Sequence, residues 1–174
     1  MGFMDINVLF EEALNDGRVG VARKSQPVDV RPATPGEVVV TTIAGEGKET
    51  ESRPAIAGDM VVRNRCEATG NEEYLVSADT FAERYNGPLG PQDAWGWFPY
   101  RPRGGGLLYF TVRDKDGAFS FTAPWDEEMV ARPGDAIVRD PANPQDSYRV
   151  AAAAFECTYE VIKAPGTKAS GTEK

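Results

Sequence analysis

The chain alternates between short apolar runs and polar gaps rich in glycine and proline, and the period of each run predicts its element. Phe3, Ile6, Phe10 and Ala13 or Leu14 recur at helical spacing, with Glu11, Glu12 and Asn15 off that stripe and Asn15-Asp16-Gly17 as a stop signal. This pattern predicts an N-terminal amphipathic helix. From Val19 onward the runs become short and β-branched. Val38 to Ile43 reads as a buried strand, Ala44 to Gly47 as its turn, and Met60 to Arg63 as the next strand. Glu73 to Ser77 alternates as a half-buried strand does, and Ser77 or Asp79 can cap a following helical turn that sets Phe81 and Tyr85 on one side. Leu107 to Val112 and Ala118 to Ala123 read as two strands joined by the hairpin turn Asp114-Lys115-Asp116-Gly117. Ala136 to Arg139 follows a Pro-Gly-Asp turn, and Tyr148 to Val150 leads into Phe155 and Tyr159.

The order of these elements repeats. Gly58, Asp59, Val62 and Arg63 match Gly134, Asp135, Val138 and Arg139 in register. After a turn that is shorter in the second copy, Tyr74, Val76, Ala78, Phe81 and Tyr85 meet Tyr148, Val150, Ala152, Phe155 and Tyr159. Agreement in order, spacing and chemistry points to duplication of one small unit. The glycine suits the positive φ of a tight turn, its aspartate can accept backbone N–H bonds, and the paired rings fold a short helix onto the strand.

Pro133-Gly134-Asp135-Ala136-Ile137-Val138, then Tyr148-Arg149-Val150, then Phe155 to Tyr159, resembles the PGDYG family of small bacterial and phage proteins. That family's pattern is Pro-Gly-Asp, an aromatic, a short hairpin and a Pro-Asp-x-Phe-x-x-x-Tyr ending. The first half resembles it too, with Lys24, the Val38 to Ile43 strand and the Asp79-x-Phe81-x-x-x-Tyr85 ending. The two stretches span about Val19 to Ile162. Ala57 stands in place of the proline, Met60 and Ala136 in place of the aromatic, and Ala153 in place of the aspartate equivalent to Asp79. The resemblance implies a fold and carries no established activity.

The expected architecture is therefore mainly β (α+β): two similar small β-barrel or sandwich-like repeats sharing a core, with short helices at Ala78 to Tyr85 and Ala152 to Tyr159. The expected divisions are an N-terminal helix over 1–18, a first repeat over 19–86, a connector over 87–106, a second repeat over 107–163 and a disordered tail over 164–174.

Composition narrows the chemistry. A formal net charge of −8 argues against unspecific binding to nucleic acid or anionic lipid. No apolar run approaches the roughly 20 residues of a membrane-spanning helix, and the opening segment is acidic where a signal peptide is basic, so a cytoplasmic location is expected. The chain holds no histidine, which removes His-dependent triads and His-ligated metals. Cys66 and Cys157 occupy settings that do not correspond between the repeats, so ordinary packing is expected of both. Asp126-Glu127-Glu128 beside Trp125 reads as a solvated turn, and neither a metal nor a cofactor is expected.

The connector carries the densest unusual chemistry. Trp95, Trp97, Tyr100, Arg101 and Arg103 could stack a ring and hold an anionic group, with Gly104 to Gly106 allowing close approach. The glycines do not form a phosphate loop, because the GxxxxGK[ST] pattern is missing. Asp59 and Asp135, with Arg63, Arg139, Tyr74 and Tyr148, form the other candidate set, for which turn capping and cross-strand pairing are the structural alternative. These residues point to a non-enzymatic module that binds a small ligand or a protein, because no nucleophile-and-base pair is visible. The alternative is a histidine-free enzyme acting on a nucleotide or nucleobase. The partner is an unidentified small ligand or protein, with a homodimer left open and a membrane not expected.

Overall fold

A computed structural model of the chain describes residues 2–124 and 126–166. Met1, Trp125 and residues 167–174, which include most of the expected disordered tail, lie outside them. The elements run β1 Gly2–Phe3, α1 Ile6–Asn15, β2 Gly20–Lys24, β3 Val28–Pro32, β4 Val40–Ile43, β5 Gly47–Glu51, β6 Met60–Asn64 and β7 Glu73–Val76. They continue with α2 Ala78–Arg84, β8 Tyr85–Asn86, β9 Phe98–Pro102, β10 Leu107–Thr111, β11 Phe119–Thr122 and β12 Glu128–Ala131. The last are β13 Ala136–Asp140, β14 Asn143–Val150, α3 Ala152–Thr158 and β15 Tyr159–Lys163. The fold is mainly β with three short helices.

The chain divides into two compact units. A middle unit comprises Lys24–Gly104, and a terminal unit comprises Met1–Arg23 and Gly105–Lys174.

In the middle unit five strands take the order β7-β6-β3-β9-β8, and β4 and β5 form a separate hairpin. Val62 of β6 lies opposite Val30 of β3 on one side and Tyr74 of β7 on the other. Alternation sorts the side chains into two faces. Val28, Val30, Val62 and Val76 pack with Tyr85 and Phe81 beneath α2, while Val61, Val39, Ala55 and Trp97 form a second cluster. Helix α2 starts where Ser77 accepts the Thr80 N–H at 3.4 Å, with Asp79 in its first turn and Arg84 in its last.

In the terminal unit the order is β14-β13-β10-β2-β15, beside a three-stranded sheet β1-β11-β12. Helix α1 begins at Asp5, whose carboxylate accepts the Asn7 N–H at 2.9 Å. It buries Ile6, Phe10 and Ala13 against Phe110, Phe119, Phe121 and Ile137. Helix α3 has no capping side chain of its own at Ala151. Asp135 caps it from the preceding turn, accepting the Ala152 N–H at 3.0 Å.

Three expectations are corrected. The barrel-like repeats are open sheets, and no closed barrel forms. In each sheet the chain passes between the edge strands through a seven-residue helix, α2 or α3. In neither sheet are the two edge strands, β7 and β8 or β14 and β15, hydrogen-bonded to each other, so each sheet stays open. Secondly, β10 and β11 are not a hairpin: β10 pairs with β13 and β2, and β11 with β12 and β1. Asp116 turns back to accept from Arg113 N and from its guanidinium, which winds residues 114–116 into a 3-10 turn and sends β11 to another sheet. Thirdly, neither cysteine is an ordinarily packed thiol. Cys66 and Cys157 are both disulfide-bonded, and none is free.

Candidate functional site

Two polar clusters occur in the middle unit. On one side of its sheet Trp97, 7% exposed, lies under two guanidiniums, with Arg63 4.1 Å and Arg31 5.4 Å from the ring centroid. Both cations are already matched. Arg31 donates to both Glu37 oxygens, at 3.1 and 2.6 Å, and Arg63 donates to Asp29 Oδ2 at 2.9 Å while Arg65 takes Asp29 Oδ1 at 2.8 Å. Burial raises the Asp29 pKa, and the hydrogen bonds from Arg65 and Arg63 outweigh it, holding the carboxyl below its ordinary value. Glu37 is lowered by its bond from Arg31. This cluster locks a ring between paired charges.

The other cluster joins Lys24, Asn64, Tyr74 and Tyr85. The Lys24 ammonium donates a short hydrogen bond to the Tyr74 hydroxyl and a longer one, 3.5 Å, to the Tyr85 hydroxyl. The two hydroxyls are 2.9 Å apart, and Tyr74 OH stands 3.5 Å from Asn64 Oδ1. Lys24 Nζ also lies 4.9 Å from the Tyr74 ring centroid. Each group comes from a different element: Lys24 from the end of β2, Asn64 from the end of β6, Tyr74 from β7 and Tyr85 from the junction of α2 with β8. Tyr85 is fixed by stacking on Phe81 at 5.2 Å, and Phe81 meets Tyr100 edge-on at 4.9 Å.

Charge distinguishes the two clusters. The partly buried Lys24 cation has phenol hydroxyls for partners and no carboxylate within ion-pair distance among the described residues. An ammonium carries three donors, and the two phenols take one each.

The connector residues separate. Trp95 is 82% exposed on a loop where Asp93 accepts its N–H at 2.8 Å, whereas Trp97 is buried. Tyr100 packs on Phe81, Arg101 is exposed in β9 opposite Asn86, and Arg103 donates from Nε to the Ala82 carbonyl at 3.2 Å.

Asp59 and Asp135 serve their own turns. Asp59 accepts from Ile56 N at 2.9 Å and Arg53 at 2.7 Å, and the Arg53 bond holds its carboxyl below the ordinary range. Asp135 accepts from Arg132 N at 2.8 Å and Arg149 Nε at 2.8 Å. Arg139 reaches Ser147, Glu11 and Asn7 and lies 4.1 Å from the Phe10 ring centroid. Among the described residues no three carboxylates or cysteines are grouped to hold a metal ion.

Comparison with protein-family models, with curated proteins and with solved structures gives no match. The chemistry therefore rests on geometry. Sequence reasoning named Tyr74 and Tyr85 separately and met Lys24 only within a family resemblance. The available signal was a lysine without an acidic neighbour, in Val21-Ala22-Arg23-Lys24-Ser25-Gln26.

Proposed function

We propose that the protein is a non-enzymatic binding module that takes a small anionic ligand at Lys24, Tyr74 and Tyr85. The observation that carries this reading is a partly buried ammonium bonded to two phenols and matched by no carboxylate. A cation withdrawn from water is costly unless an opposite charge meets it, so an incoming phosphate or carboxylate gains more here than beside the neutralised Arg31 and Arg63. Tyr85 and Asn64 fix the geometry in advance, which lowers the ordering cost of binding.

The test is a thermal-shift series on the full chain with inorganic phosphate, acetate and adenosine monophosphate, repeated on Lys24→Met and Lys24→Arg. At least one anion raises the wild-type Tm, Lys24→Met loses the rise and Lys24→Arg keeps part of it. Equal shifts in wild type and Lys24→Met overturn the reading.

The same contact favours one other function, a histidine-free enzyme acting on a nucleotide or nucleobase. A tyrosine hydroxyl held by an ammonium is arranged to give or take a proton. No serine, threonine or cysteine is among the hydrogen-bond partners of Lys24, which is why binding leads. Product formation from adenosine monophosphate that Tyr74→Phe abolishes, with binding retained, would favour catalysis.

Paired details support descent of the two units from one duplicated PGDYG-like ancestor. Gly58 and Gly134 both have φ of 94°. Asp59 and Asp135 each accept the N–H three residues earlier, and Phe81–Tyr85 and Phe155–Tyr159 stack at 5.2 and 5.1 Å. On this reading the copies have exchanged their first strands. β2 precedes β3 yet pairs with β10 and β15, and β9 precedes β10 yet pairs with β3 and β8.

A further inference from the structure

The terminal unit holds a cavity of about 180 Å³ that none of the preceding chemistry uses. Its walls are apolar where Leu9, Phe110 and Phe119 contribute, and polar at Arg18, Glu12 and Asp116. Arg18 is the anomaly. Its Nε and Nη1 are buried and reach no hydrogen-bond acceptor of the protein. Asp16 comes no closer to Nε than 3.6 Å, an ion-pair distance too long for a hydrogen bond. A buried donor without an acceptor is costly, and a charged one more so.

We propose that this cavity binds a small, planar, uncharged molecule of nucleobase or lactam type, whose carbonyl accepts from Arg18 and whose N–H donates to Glu12. The volume lies below the roughly 300–1,000 Å³ of sites for drug-sized ligands, so the occupant is of fragment size. Phe110 and Phe119 supply apolar wall, and the Arg18 guanidinium lies 5.7 Å from the Phe110 ring centroid, so the donors and the apolar wall meet at one place. The balance of charge selects a neutral compound. Asp16 already faces Arg18, Glu12 is exposed and acidic, and both oxygens of Asp116 are engaged by Arg113. An anion entering here would meet Glu12 and Asp16 together with Arg18. Asp116 is held in place by three bonds from Arg113, whereas the exposed Glu12 carboxylate is open to a ligand N–H. Leu9 and Glu12 lie three residues apart on α1, so one helix face presents an apolar wall and an acceptor together. This site is independent of Lys24, which belongs to the other unit.

The experiment is a titration of the full chain with uracil, adenine and benzamide, with benzoate as the charged comparator, followed by NMR of the aromatic side chains and by thermal shift. At least one neutral probe shifts the Phe110 and Phe119 resonances and raises Tm, while benzoate does neither. Arg18→Met keeps the apolar stem and removes the donors. It weakens binding roughly tenfold or more, the loss expected for a hydrogen bond to a charged group. Because Arg18 also pairs with Asp16 and lies over Phe110, the affinity of each variant is compared after its own ligand-free Tm has been recorded. Glu12→Gln, at an exposed position, folds as wild type and weakens the N–H-bearing neutral probes. Lys24→Met leaves these titrations unchanged. No response to any neutral probe, tighter binding of benzoate than of benzamide, or undiminished binding by Arg18→Met overturns the proposal.

Discussion

Arg149 donates from Nε to Asp135 Oδ2 at 2.8 Å, and their side chains are 1% and 4% exposed. The same carboxylate accepts the Arg132 and Ala152 N–H groups, so one buried aspartate closes a turn, caps α3 and neutralises an arginine. Asp135→Ala removes the carboxylate that neutralises this buried guanidinium and costs about 3–5 kcal/mol. Asp59→Ala is milder, about 1–3 kcal/mol, because its partner Arg53 is half exposed and returns to water. Urea unfolding of both variants checks the order.

Phe10 anchors the terminal unit. It is fully buried, meets Phe110 edge-on at 5.1 Å and carries the Arg139 guanidinium above its ring. Phe10→Ala opens a cavity and costs about 3–5 kcal/mol. The same urea series should show it well above Val8→Ala on the exposed side of α1.

Acid acts on the paired carboxylates. Asp59 and Asp116 are lowered by hydrogen bonds from Arg53 and Arg113, and in Asp29 the bonds from Arg65 and Arg63 outweigh burial. Their folded pKa values lie below the ordinary 3.8. Stability from these pairs is therefore fully present above that value and is lost as pH falls through the folded values. Thermal unfolding across pH 7 to pH 2.5 should show a flat upper range and a fall in Tm concentrated below about pH 4. Asp59→Asn should flatten part of that fall.

Oxidised cysteines give a chemical prediction. In guanidinium without reductant the chain should show no reactive thiol, and after reduction it should show both Cys66 and Cys157. A thiol signal from freshly purified protein before reduction would contradict the disulfide state, which persists most readily in an oxidising compartment.

How far these features could be read in advance depended on their range. The turns at Gly58-Asp59 and Gly134-Asp135 were legible because a positive φ and a capping carboxylate are local requirements, met by adjacent residues. The helix over Ile6–Asn15 was legible from Ile6, Phe10 and Ala13, although Phe3 lies outside it in β1 and is exposed. Strand partners were not. Gly20–Lys24 stands three residues before β3, yet pairs with Leu107–Tyr109, and period-two alternation specifies a face without specifying a neighbour. The same limit hid the lysine cluster, since Lys24, Asn64, Tyr74 and Tyr85 converge only through sheet register. Trp97 looked like a ligand platform because stacked arginines and aromatics are common to binding sites and to cores. Glu37 and Asp29 decide between the two, and both lie far from Trp97 in sequence.

The central claim is that Lys24 is an anion-binding cation, and its most direct test is calorimetric titration of inorganic phosphate, acetate and adenosine monophosphate into wild type, Lys24→Met and Lys24→Arg. Wild type should bind at least one of them saturably, and Lys24→Met should lose roughly tenfold or more of that affinity while retaining its fold. Where a ligand reaches about 100 times its Kd, the folded state gains about 2.7 kcal/mol, and wild-type Tm should rise by several degrees. Binding of equal strength in wild type and Lys24→Met, or no heat from any of the three anions, would contradict the account.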